Sequence, residues 1–164
     1  MARLRDFFRR FVDACWLATM HPNWTLDADA RLDALGLDAT ERAAVRDTVT
    51  AVFGRVRLYS TPAATAVMLV AAGVDVADLP RTLRAVKMLS LIAGVSLNDA
   101  GFAVATTVAQ GRVTSDTAHR IRTWGLLIHA PLAVWRGEHP YETAAAIAMG
   151  RVPATDLIAA LADL

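Results

Sequence analysis

Four glycines, Gly36, Gly73, Gly111 and Gly150, each follow an apolar run of helical period, and Asp38, Asp78, Asp116 and Asp156 each stand near the start of the run that follows. Glycine adopts the left-handed conformation that ends a helix, and a short polar side chain satisfies the first amides of the next one. The chain is therefore punctuated as a series of helices joined by tight corners. The glycines are spaced by 37, 38 and 39 residues, and the segments after Gly73, Gly111 and Gly150 share a nearby valine and a later aspartate. That recurrence makes stacked two-helix repeats a candidate arrangement. Its competitor is the general preference of any helix corner for Gly and Asp.

The residues between the corners agree with this punctuation. Alanine, the strongest helix former, fills 33 positions, and no useful length alternates β-branched with polar residues as a strand would. The expected helices cover residues 3–20, 27–35, 39–58, 62–72, 79–93, 98–110, 115–136, 140–149 and 154–163. Thr61-Pro62 and His139-Pro140 each put proline at a first helical position, where its missing N–H costs nothing. Asp38 with Glu41 three residues on has the spacing of a capping box. The fold class is all-α, with about seven to nine helices in one compact domain over residues 1–164. A chain of this length buries enough surface to hold one core without metal or crosslinks.

Composition narrows the function classes. With 55% apolar and 20% charged residues the chain is not of the disordered class. Seventeen basic residues against sixteen acidic ones leave a formal charge of +1, so no nucleic-acid partner is expected. The one corner with a helix-turn-helix outline runs from Gly73 into Asp78-Leu79-Pro80, and would present Arg81, Arg84 and Lys87 to a groove. It lacks an extended basic face around it.

Cys15 is the single cysteine, which excludes an internal disulfide and a cysteine-based zinc site within one chain. The expectation is a reducing, cytoplasmic setting. Residues 1–10 are basic, but Asp13 interrupts the apolar run and no small-residue cleavage site follows, so no secretory signal is expected. The longest uncharged stretch, Leu58 to Val74, contains Ser60, Thr61, Pro62, Thr65 and Gly73, and reads as a buried helix rather than a membrane span. In residues 1–20, Leu4, Phe8, Phe11 and Cys15 share one face while Arg3, Asp6, Arg10 and Asp13 lie opposite. This amphipathic helix is expected to dock on the domain. Peripheral membrane contact through residues 3–20 is the less favoured alternative.

Signatures for nucleotide binding, serine hydrolysis and zinc peptidase chemistry are absent from the sequence. No metal or other cofactor is expected. The polar groups that stand out are histidines beside aromatic residues. Trp16, His21 and Trp24 form one cluster; Trp124, His129, Trp135, His139 and Tyr141 form another. Imidazole can donate or accept a proton and indole offers a flat apolar wall, so Trp16, His21, Trp24, Trp124, Trp135 and Tyr141 are candidate ligand-binding residues. His139 and Glu142 stand three apart, close to one helical turn, and His129 lies one loop upstream. These three are the candidate acid–base set, with Glu142 orienting an imidazole. The simpler account makes His139 a cap, Pro140 the first residue and Glu142 part of the first turn of a helix. His119, Arg120 and Arg122 offer an anion site on the helix begun at Asp116, against the simpler reading of a solvated face.

The favoured function is a non-catalytic helical module that binds a protein partner, including a second copy of itself, or a hydrophobic or aromatic small molecule. The apolar excess and the two aromatic clusters carry this expectation. The alternative is a small cofactor-independent cyclase, isomerase or dehydratase using His129, His139 and Glu142 on an apolar substrate.

Overall fold

The computed structural model describes residues 28–54 and 61–164. The helix expected over residues 3–20, and with it Trp16, His21 and Trp24, lies outside the described residues. Those described form nine helices: α1 (Ala28–Ala34), α2 (Ala39–Phe53), α3 (Thr61–Ala71), α4 (Leu79–Ala93), α5 (Leu97–Gln110), α6 (Ser115–Thr123), α7 (His129–Arg136), α8 (Pro140–Ala148) and α9 (Ala154–Ala162). The fold class is all-α. Among the described residues no helix is long and apolar enough to cross a membrane.

Contacts divide the chain into two compact units, one through Pro80 and one from Arg81. In the first, α1, α2 and α3 pack on one another. Its α3 is buried at Ala64, Thr65, Ala66, Val67, Met68 and Leu69, which accounts for the uncharged stretch seen in the sequence. The capping box expected at α2 is present. Asp38 Oδ1 accepts from the Thr40 and Glu41 amides at 2.7 and 2.9 Å, and the Asp38 amide donates to Glu41 Oε2 at 2.8 Å. Arg42 ties α2 to α1 through Asp33, and Arg46 does so through Asp29 at 3.0 Å. The helix expected over 39–58 ends earlier, at Phe53. Gly54 follows at a φ of 80°, its amide donating to Thr50 O at 2.8 Å.

In the second unit, α7 and α8 form a hairpin, α9 packs on α7 and α5, and α6 packs on α5 and α8. Leu132, Ile121, Val104, Leu157 and Leu161 are fully buried. On α4 the buried positions Leu83, Val86 and Leu89 recur at helical spacing, while Arg81 and Arg84 face outward. Arg81 is engaged by Asp163 at 3.2 Å.

The single helix expected over 115–136 is two helices. Ile121 O receives the amides of Trp124 at 3.1 Å and Leu126 at 3.4 Å, and Gly125 between them takes a φ of 86°. Pro131 explains why the helix could not run through. In a continuous helix it would remove an amide and press on the carbonyl of Leu127, whereas as third residue of α7 it lacks only an amide that had no intrahelical partner.

All four glycines singled out in the sequence have positive φ, from 64 to 98°. Two of their corners are joined. The Val113 amide donates to Val152 O at 2.8 Å and the Ala154 amide to Gly111 O at 3.2 Å, making an antiparallel bridge between Arg112 and Pro153. Val113 and Val152 are both fully buried beneath it. The shared Gly-Arg-Val of the two corners thus has a physical role: glycine turns the chain, arginine stays outside, and valine enters the core.

Candidate functional site

The groove between α6 and α8 is where polar and apolar side chains of the second unit converge. Spacing along α6 puts Ser115, Ala118, His119 and Arg122 on one face, at positions i, i+3, i+4 and i+7. Spacing along α8 does the same for Ala144, Ile147 and Ala148. The break at Gly125 then brings Leu127, Ile128 and His129 round to close one end. Together these ten residues line a cleft of about 460 Å³. That lies within the range of small-molecule sites, about 300–1,000 Å³.

A second cleft of about 280 Å³ adjoins it, sharing Ser115, Ile147 and Ala148 and adding Arg112, Thr114, Asp116, Met149 and Gly150. Its wall is held by the α6 cap, in which Thr114 Oγ1 accepts from the Thr117 amide at 3.3 Å. Thr117 is buried, and Thr107 Oγ1 donates to Ala103 O at 2.8 Å while standing 3.3 Å from the Thr117 hydroxyl. Arg120, one position along from His119, leaves the groove to lie over the Phe102 ring at 5.1 Å.

His139 and Glu142 are elsewhere. They meet at the start of α8, where the His139 amide donates to Glu142 Oε2 at 3.2 Å and His139 Nδ1 accepts from the Tyr141 amide at 3.3 Å. The imidazole also stacks on the Tyr141 ring, centroids 5.3 Å apart and planes within 10°. All three are exposed. The sequence spacing of His139 and Glu142 therefore appears in the structure as a reciprocal helix cap. Neither residue lines the cleft that holds His129, and no tryptophan lines it. Trp124 ends α6 and is half-buried; Trp135 is 42% exposed on α7.

The sequence sets His129 one loop from His139; the structure places it with His119 and Arg122 instead. The spacing of His119 and Arg122 was readable as a face, but the side opposite to it was not. Arg112, beside the second cleft, carried no signal beyond its place in the recurring Gly-Arg-Val.

Behind the α7–α8 turn, Arg136 binds Asp156 Oδ2 through Nη1 at 2.6 Å and Glu138 Oε1 through Nη2 at 2.8 Å. Thr143 Oγ1 donates to Glu138 Oε2 at 3.1 Å. The Arg136 hydrogen bond, with help from Thr143, holds the Glu138 carboxyl below its ordinary pKa, and the two carboxylates raise that of Arg136. This cluster ties three helices together. Among the described residues no group of three or more His, Cys, Asp or Glu side chains is placed to hold a metal ion. The chain matches no family model, no curated protein and no solved structure.

Proposed function

We propose that the second unit is a non-catalytic binding module that takes a small molecule with a hydrophobic or aromatic body into the α6–α8 cleft. The observation that carries this reading is the apolar share of the cleft's lining. Ala118, Leu127, Ile128, Ala144, Ile147 and Ala148 are six of its ten residues, with Ile128 and Ile147 buried and Leu127 49% exposed. Burying apolar ligand surface there gains about 25 cal/mol per Å², and alanines leave the space into which a ring or chain fits. The polar groups at the rim, His119, Arg122, His129 and Ser115, are few and suited to fixing orientation.

The test is a titration of the full chain with the neutral dye N-phenylnaphthylamine, whose emission rises in apolar surroundings. The expected result is saturable binding at one site per chain, lost in Ala144→Trp, which fills the bed. Non-saturable uptake, or unchanged binding by a folded Ala144→Trp, overturns the reading.

A second reading, docking of a partner chain, is favoured by the α7–α8 hairpin, where Val134 is 84% and Tyr141 82% exposed. Exposed apolar side chains mark a contact surface where they join into one patch. Light scattering of the full chain against Val134→Lys tests the simplest form of it, self-association through this hairpin. A wild type that is monomeric at all concentrations removes that form.

A further inference from the structure

We infer that the ligand of the α6–α8 cleft is an amphipathic anion, with an oxyanion head at His119, Arg122 and His129 and an apolar tail running toward Ile147. The inference rests on the binding reading above and adds the chemistry of the ligand's polar end.

None of the ten residues that line the cleft is acidic, and three are basic. His119 and Arg122 are one turn apart on α6, and His129 opens α7 across the Gly125 break. Some arginines of the fold are matched by carboxylates: Arg42 and Arg46 meet Asp29, Arg81 meets Asp163, and Arg136 meets Glu138 and Asp156. Arg122 has no carboxylate within ion-pair distance among the described residues. A guanidinium is charged at any ordinary pH, and its planar fork takes two oxygens of one carboxylate or phosphate at once. Imidazole supplies an N–H donor whether it is neutral or protonated. Three donors around an apolar bed with no competing carboxylate fit an oxyanion better than a neutral polar group.

The polarity of the groove sets the direction of the ligand. Asp116 lies at the other end, in the adjoining cleft, where Arg112 stands against it. The three basic groups gather at the Arg122 end, so an anionic head is drawn there and the tail is left over Ile147 and Ala148.

The test uses three eight-carbon probes with the same tail, octanoate, octyl phosphate and octanol, titrated calorimetrically into the full chain at low salt. At least one of the two anions is expected to bind about tenfold more tightly than octanol, the worth of one charge-assisted contact. Whichever binds more tightly identifies the head as carboxylate or phosphate. Arg122→Gln is expected to abolish that preference while leaving octanol within about twofold, and His119→Gln to weaken the anion alone by about threefold. Both residues are exposed, so both variants should keep the wild-type circular dichroism spectrum. If octanol matches both anions, or if the preference survives both Arg122→Gln and His119→Gln, the oxyanion site is overturned and the hydrophobic binding reading stands. If neither the dye nor any of the three probes binds, the binding reading itself fails.

Discussion

Arg136 and Asp156, twenty residues apart, meet at 2.6 Å and fasten α7 to α9. Both side chains are about four-fifths buried, and the other arm of the guanidinium is held by Glu138. Removing one partner of such a pair leaves a charge that has lost its solvent and half of its compensation. Asp156→Ala is therefore expected to cost about 2 kcal/mol, less than the 3–5 of a fully buried pair because Glu138 remains. For a chain of this size that lowers the melting temperature by roughly 4–8 °C. Calorimetry checks it, and a change under 1 °C would contradict the account.

Glu138 makes the same cluster sensitive to acid. Its carboxyl titrates lower in the folded chain than in the unfolded one, chiefly because of the Arg136 hydrogen bond. A depressed acid stabilises fully above its unfolded pKa, about 4.3, and that contribution is lost as pH falls through the folded value. Urea midpoints of wild type and Glu138→Gln, compared from pH 6 down to 3, should differ most at the upper end and converge at the lower. A gap independent of pH would mean that packing of Glu138, and not its charge, is what counts.

Gly150 turns at a φ of 64°, and a Cβ there would sit 3.1 Å from Arg112 Nη1. Gly36 turns at 91° with nothing within 4 Å of the same position. Gly36→Ala should lose about 1–2 kcal/mol from backbone conformation alone. Gly150→Ala should lose that and a further increment of about 0.5 kcal/mol for displacing the guanidinium. In an Arg112→Ala background the increment should vanish. Chemical denaturation of the four variants measures it as a double-mutant cycle.

At α2 the expected effect is local. Asp38→Ala removes the acceptor of two amides and should cost about 1 kcal/mol, with Asp38→Asn recovering most of it. Amide exchange at Thr40 and Glu41 should quicken in the alanine variant. Unchanged exchange would show that the cap does not hold this end.

How much of this was legible in advance depends on the range of the interaction. The Asp38–Glu41 box was readable because both partners and the amides they satisfy lie within four residues. The positive φ of Gly36, Gly73, Gly111 and Gly150 was readable for the same reason. The break in residues 115–136 is signalled by Gly125 and Pro131, yet the apolar run Leu126-Leu127-Ile128 continues the helical pattern across it. The break is fixed by closure on Ile121 O and by burial of Ile121 and Ile128, which are tertiary events. The cleft was out of reach for that reason. His119 meets His129 at one groove only because the chain turns between them, and α8 supplies the opposite wall from 15 to 19 residues beyond His129. Spacing did bring His139 to Glu142, but their common task was decided by amides that a residue pattern does not display.

The bridge between the Gly111 and Gly150 corners also bears on how the second unit assembles. Its two backbone hydrogen bonds join Val113 to Val152, 39 positions apart, and Ala154 to Gly111, across all of α6, α7 and α8. Closing a chain of that length costs about 3 kcal/mol of entropy before any contact rewards it. The bridge is thus one of the non-local contacts of the unit, and it holds the chain entering α6 against the chain leaving α8, the two helices that wall the groove.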